Sequence, residues 1–358
     1  MADEKLTLGV IFGGDSPEYE VSCVSAASVM EQLDPYRYEL VKIGIRKDGR
    51  WWMYTGDTQS VRNVDWETDT AQLVPAVLSP CPAHHGLILL NKAEKTYEIK
   101  KLDCVFPVLH GRNGEDGVMQ GLLELSGVPY IGCKTRSAAV TMDKAVTKMI
   151  LEKYGIKQTE WMLFYKKEYL GDPEAALRFC QEKLSYPVFV KPANAGSSKG
   201  ISKVCNQEEL KVAFDTAYLY DEKVLVEKAV AGREIEIGLL EKDGEILTSC
   251  CGEIRTKAAF YDYNAKYHDD SVELVIPADI DPVIQNTIAK IAKKIFRALD
   301  CEGFSRADFF LSGNHILFNE INAIPGFTSV SMYPKMFEKS GISYAELIDT
   351  MVNRACKK

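Results

Sequence analysis

The strongest constraint on the fold is a pair of alternating apolar and polar runs near the C-terminal end, residues 304–311 and 316–323, separated by Gly313-Asn314. Period-two alternation on both sides of such a turn predicts an antiparallel hairpin. With residues 313–315 closing the turn, Asp308 faces Glu320 and Arg306 faces Asn322. Cross-strand partners share a face, so all four side chains project together. Burying two carboxylates, an amide and a guanidinium is costly unless another charge sits among them. Oxygen-only donors suit a hard cation, Mg²⁺ above all, which completes its shell with phosphate oxygens and water. The face points to ATP–Mg²⁺ chemistry, although on its own a solvated hairpin with surface ion pairs has the same pattern.

The chain of 358 residues has length for two or three domains and ample core. Its net charge of −8 argues against nucleic acid or an anionic membrane as the main partner, leaving room for a local basic funnel around a nucleotide. No apolar run reaches membrane-spanning length, and the N-terminus lacks a signal-peptide core. Ten scattered cysteines without a C-x-x-C pair fit free thiols in a reducing cytoplasm. Cys81 with His84-His85 lacks matching ligands elsewhere, so no zinc site is expected.

The first third alternates strand, glycine loop and helix: strand 6–12, loop 13–16, helix 20–33, strand 38–45, a strand within 97–109, helix 115–126 and a short strand near Tyr130. That order predicts an open parallel sheet with helices on both faces. Residues 47–95 read as a β-rich insertion. A long helix is expected over 135–154, stopped by Gly155, and a smaller α+β unit follows: strand 161–164, helix 173–184, strands 188–191 and 201–205, helix 207–220. The last third begins with strand 224–227 and a hairpin turning at Asp243-Gly244. A helix then starts at Asp281-Pro282, with apolar residues at 284, 288, 291, 295 and 299, and a terminal helix starts at Ser343-x-x-Glu346, a capping box. The expected fold class is α/β with three domains, residues 1–134, 135–223 and 224–358.

Four further segments carry chemistry. Lys191-Pro-Ala-Asn-Ala-Gly196-Ser197-Ser198-Lys199-Gly200 places a lysine before a Gly/Ser loop whose N–H groups and hydroxyls can converge on phosphate oxygens, or which is simply a flexible hairpin loop. Glu227-Lys228-Ala229-Val230, with Glu234 beyond, suits an adenine and ribose pocket, and equally a half-buried strand with exposed charges. His110-Gly111-Arg112-Asn113-Gly114-Glu115-Asp116-Gly117 lies between a strand and a helix, where open α/β sheets bind ligands; His110 alone is equally a packed histidine. Its glycine spacing is not the dinucleotide fingerprint. Tyr261-Asp-Tyr263-Asn-Ala-Lys266-Tyr267 has the character of a loop that closes over a site, or of a surface loop.

In this order, and with Glu18 in Phe12-Gly-Gly-Asp-Ser-Pro-Glu18, Met142-Asp-Lys144 and Ser331-Met332-Tyr333-Pro334, these motifs resemble the D-Ala–D-X ligase family of the ATP-grasp superfamily over nearly the whole chain. The resemblance implies an ATP-dependent ligase that forms D-alanyl-D-alanine through an acylphosphate for peptidoglycan synthesis, with ATP held between the last two domains. It assigns Lys144, Lys191 and Ser198 to the ATP phosphates, and Glu227, Lys228, Val230 and Glu234 to adenine and ribose. Asp308, Glu320 and Asn322 match ligands of two Mg²⁺ ions, for which Mn²⁺ can substitute. Glu18 matches the carboxylate that holds the first D-alanine's ammonium, with Ser197 and Tyr267 as its partners, and His110 and Lys266 lie on the substrate side. Arg306 and the Gly326 N–H match the oxyanion donors; Ser331 and Met332 match the region receiving the second substrate. Vancomycin-resistance relatives that use D-serine or D-lactate often carry Arg where this chain has Met332, so D-alanine is expected and D-serine is the alternative. The family also implies a cytoplasmic homodimer.

Overall fold

The computed structural model describes residues 5–91, 93–196, 198–256 and 272–357. The lid segment 261–267, with Lys266 and Tyr267, and Ser197 lie outside the described residues. Three sheets organise the rest. The first comprises β1 (Leu6–Gly13), β2 (Tyr38–Ile45), β3 (Trp51–Tyr54), β4 (Leu73–Leu78), β5 (Gly86–Asn91), β6 (Thr96–Lys101) and β7 (Cys104–Pro107), in the order β6-β5-β4-β3-β2-β1-β7. Only β2, β1 and β7 pair in parallel; β3 to β6 extend the sheet antiparallel. The insertion is therefore β-rich as expected, but it makes the sheet mixed. The run 97–109 holds two strands, β6 and β7, which stand at opposite ends of the strand order with only Leu102 and Asp103 between them. Tyr130 makes only an isolated parallel bridge to Val105.

The second sheet is antiparallel, built from β8 (Trp161–Tyr165), β9 (Val188–Pro192), β10 (Ser202–Val204) and β11 (Lys223–Lys228), in the order β10-β9-β11-β8. The third contains β12 (Arg233–Lys242), β13 (Glu245–Thr256), β14 (Val272–Val275), β15 (Phe304–Ser312) and β16 (His315–Asn322), in the order β14-β13-β12-β15-β16. The turn joining β12 and β13 has positive φ at both Asp243 and Gly244, which matches the right-handed twist of the strands it joins. Helix Pro282–Ala298 opens as the sequence predicts: Pro282 takes the first turn and the Asp281 carboxylate accepts from the Val283 N–H. The terminal helix Tyr344–Cys356 is capped by Ser343, which accepts from the Glu346 N–H.

One correction positions the site. The long helix expected over 135–154 is two helices, Thr135–Met142 and Lys144–Lys153, broken at Asp143. Asp143 leaves helical geometry at ψ 98°, and its carboxylate caps the second helix by accepting from the Ala145 and Val146 N–H groups. Lys223 contacts the same carboxylate. An aspartate offers the backbone a competing partner, so a helix-spaced apolar pattern can contain a restart. The consequence is that Lys144 begins a helix.

The first and third sheets share a core. Phe106 on β7 packs edge-on against Phe304 on β15 and against Phe327, with ring centroids 5.9 and 5.5 Å apart. Phe304, Phe327 and Tyr333 complete the cluster, all fully buried. Such pairs add about 0.5–1.5 kcal/mol each beyond their area burial. The loop between β16 and helix Met332–Lys339, which carries Gly326, is thereby pinned against the first sheet.

Candidate active site

The hairpin reaches the expected register by a different route. Its turn is two residues, Gly313-Asn314, with Ser312 opposite His315, and Asn319 forms a bulge between the pairs Phe309–Phe318 and Asp308–Glu320. One extra residue on a strand shifts all later side chains by one place. The bulge thus restores what the shorter turn would have undone, and Arg306 faces Asn322 while Asp308 faces Glu320.

On this face Arg306 Nε donates to Asp308 Oδ1 at 2.8 Å and an NH2 proton goes to Oδ2 at 2.7 Å, a two-pronged pair within one strand. Asn322 Nδ2 donates to Asp308 Oδ2 at 3.0 Å. Glu236, opposite Asp308 on β12, brings its Oε2 to 3.0 Å from Arg306 Nε. Burial works against the Arg306 charge, but Asp308 and Glu236 outweigh it and raise its pKa well above the ordinary guanidinium value. Glu236 escaped the sequence reading because its partners lie on a strand more than 60 positions away; the signal was its two-residue spacing from Glu234, which puts both on one face.

A cavity of about 460 Å³ lies between the second and third sheets. Lys144, Lys191, Ser198, Glu227, Lys228 and Val230 line it from the β9–β11 side, and Glu234, Glu236, Arg306, Asp308 and Glu320 from the β12–β15–β16 side. Lys144 Nζ donates to the Ala195 carbonyl at 2.8 Å and lies 3.6 Å from Glu320 Oε2, so it ties the Gly/Ser loop to the hairpin face. Lys191 Nζ donates to Glu227 Oε2 at 2.9 Å. Burial opposes the Glu227 charge, yet Lys148 and Lys191 outweigh it and hold the carboxyl down at about 2. Lys228 is more open, 3.7 Å from Glu160. Phe189, Ile254 and Phe309 give the cavity apolar walls.

A second group gathers where the first sheet meets the third. Glu18 is buried at the start of helix Tyr19–Glu31. A Cβ at either Gly111 or Gly196 would overlap its Oε2, so Glu18 touches both the 110–117 loop and the Gly/Ser loop. His110 is buried, with Nε2 3.2 Å from Ser25 Oγ; burial depresses its pKa against the pull of Glu18. Glu115, given no role from sequence, accepts from the Gly111 N–H at 2.7 Å and the Ile324 N–H at 3.3 Å. Burial, then nearby Glu18, pushes it up to about 8. Gly326 lies against Ser331 Oγ, which bonds Thr328 Oγ1 at 2.8 Å. The Met332 side chain is buried against Ile254, Met336 and Gly252.

The donor set fits a hard cation: two carboxylates and an amide oxygen, with no soft ligand among the residues on this face. Among the described residues no group of three or more His, Cys, Asp or Glu makes a complete metal cage.

Facing sheets with lysines on one wall and carboxylates on the other define the class, an ATP-grasp ligase. Family models described as D-ala D-ala ligase N-terminus and C-terminus match residues 7–133 and 150–353, and the chain belongs to the D-alanine–D-alanine ligase family. It is 45% identical over 356 residues to a D-alanine–D-alanine ligase of Caldicellulosiruptor bescii, covering 99% of this chain and 96% of the relative. It is 44% identical to one from Acetivibrio thermocellus, covering 100% and 97%. Among solved structures, the VanG D-Ala:D-Ser ligase from Enterococcus faecalis superposes with a TM-score of 0.89 at 38% identity, over 98% of this chain and all of that one. The D-alanine–D-alanine ligase from Coxiella burnetii gives 0.84 at 32% identity, over 99% and 94%.

Proposed function

We propose that this ligase joins two D-alanines at the expense of ATP, and that it has three domains, 1–134, 135–223 and 224–358, although β11 (Lys223–Lys228), which straddles the second boundary, pairs in the second sheet. The observation that carries the reading is the shared cavity, where Lys144 and Lys191 meet Arg306, Asp308 and Glu320. ATP lies there, its phosphates met by Lys144, Lys191 and Ser198, its base and ribose by Glu227, Lys228, Val230 and Glu234. Asp308, Glu320 and the Asn322 amide oxygen hold Mg²⁺, two ions in the full complex, with Mn²⁺ a substitute; bound there, the metal neutralises and orients the transferring phosphoryl group.

Glu18 pairs with the ammonium of the first D-alanine, with Ser197 and Tyr267 as its partners, and His110 and Lys266 border the substrate. A carboxylate oxygen of that substrate attacks the γ-phosphorus, and the bond to ADP breaks. The amine of the second D-alanine, placed by Ser331 and Met332, then attacks the acyl carbon. Arg306 and the Gly326 N–H stabilise the tetrahedral oxyanion, worth about 3–4 kcal/mol per donor by comparison with other oxyanion holes. Phosphate leaves, and the amine's proton is lost. The acylphosphate hydrolyses in open water, so the 261–267 segment is assigned the role of lid.

Similarity to the VanG ligase favours D-serine as the second reading, since an apolar pocket rejects an added hydroxyl only weakly. We assign the enzyme to the cytoplasm as a homodimer; among the described residues no helix is long and apolar enough to cross a membrane. The test is Mg²⁺-dependent ADP release with D-alanine alone, then with D-serine or D-lactate added, with products weighed by mass spectrometry. D-alanyl-D-alanine as main product supports the reading. A mixed dipeptide whenever D-serine is present moves it to the alternative, and no turnover with any pair overturns it.

A further inference from the structure

Lys148 is among the largest fully buried side chains of the protein, with 2% of its side chain exposed. Buried lysines are rare unless paired. It sits one turn after Lys144 on helix Lys144–Lys153, the helix restarted by Asp143. Its Nζ lies 3.3 Å from Glu227 Oε1 and 3.4 Å from Thr159 Oγ1. The other Glu227 oxygen, Oε2, accepts from Lys191 at 2.9 Å and from Thr159 Oγ1 at 3.3 Å. Gln158 holds the Lys148 carbonyl at 2.8 Å, fixing the helix from which the lysine projects. Lys191 and Glu227 line the nucleotide cavity, whereas Lys148 stands behind them and does not.

One carboxylate is thus shared by two lysines; burial lowers the Lys148 pKa and Glu227 opposes that, and with both lysines protonated the trio carries a net positive charge. Without Lys148 the carboxylate and Lys191 would form a closed one-to-one pair. Lys191 would then present a neutralised charge to an incoming phosphate, and Glu227 would be free to turn toward it. We propose that Lys148 is a positioning residue for nucleotide binding: by holding Glu227 from behind, it fixes that carboxylate at the cavity wall and leaves Lys191 a net cation for the ATP phosphates. This rests on the reading that Lys191 and Glu227 contact the nucleotide.

The test is calorimetric titration of the full-length enzyme with ADP and Mg²⁺, together with steady-state kinetics. In Lys148→Met, ADP affinity falls and KM for ATP rises, each by about ten-fold, the scale of one charge-assisted contact. KM for D-alanine stays within about two-fold and Lys148→Arg recovers most of the loss, as expected when only the charge behind Glu227 is at issue. A purely structural role would lower thermal stability yet leave the ADP affinity of the folded enzyme unchanged, and that result overturns the proposal. Removing one partner of a buried pair is destabilising, so Lys148→Met/Glu227→Gln, which removes both charges, is compared with Glu227→Gln alone. Because Lys148 acts through Glu227, the double variant binds ADP no more weakly than the single one; a further loss contradicts the proposal. Lys191→Ala separates the two levels. Weakened ADP binding there with none in Lys148→Met sinks this inference only, whereas unchanged binding in Lys191→Ala sinks the phosphate assignment along with it.

Discussion

Arg306 is held by carboxylates on both sides, Asp308 along its own strand and Glu236 across from it. A ligand that draws Asp308 away still leaves the guanidinium a buried counter-charge. Arg306→Met should lower kcat by about 10²–10³-fold, the scale for loss of one oxyanion donor, with KM for ATP little changed; an ADP-release assay reads both. Glu115 gives a prediction about pH. Its folded-state value of about 8 lies above the ordinary 4.5, so between those limits the folded chain binds a proton that the unfolded chain does not. The stabilisation is complete below the lower value and is lost as pH rises through the upper one. Thermal melts from pH 5 to 8 should show the native enzyme losing stability over that range and Glu115→Gln changing less. Equal slopes would contradict this account of Glu115, whose neutrality spares Glu18 a like charge nearby.

At the scale of elements, the hairpin shows what a sequence can and cannot disclose. Alternation located both strands, and the facing pairs were legible, but the two-residue turn and the Asn319 bulge were not. A three-residue turn and a two-residue turn with a bulge predict the same face. Deleting Asn319 distinguishes them: the bulged hairpin becomes regular with Glu320 still facing Asp308 and Asn322 still facing Arg306, so ADP release should persist. Loss of turnover at unchanged circular dichroism would point to the unbulged register, in which the deletion turns both residues to the opposite face. The restart at Asp143 was hidden for a different reason, since the apolar spacing runs on through it and only the carboxylate's bonds to two N–H groups mark the break. The Lys191 and Lys144 motifs were legible as residue types. Their junction, through Ala195 and Glu320, joins three distant segments that no local pattern connects.

On the scale of the whole molecule, the proposed mechanism requires the first sheet's Glu18 and His110 to stay registered with the third sheet's hairpin and the Gly326 loop. The Phe106–Phe304–Phe327–Tyr333 cluster supplies that registration. Phe327→Ala should cost about 3–5 kcal/mol in urea unfolding by opening a buried cavity, and should raise KM for D-alanine more than KM for ATP. Buried glutamates, a shared cavity and the aromatic joint all serve one claim, that the first carboxylate is phosphorylated before the second amine attacks. D-Alanine carrying ¹⁸O in its carboxylate tests this directly. When the enzyme turns over with Mg²⁺ and unlabelled ATP, the account predicts one ¹⁸O in the inorganic phosphate released for each dipeptide formed, because the acylphosphate's bridging oxygen leaves with phosphorus. Unlabelled phosphate accompanying dipeptide formation would contradict it.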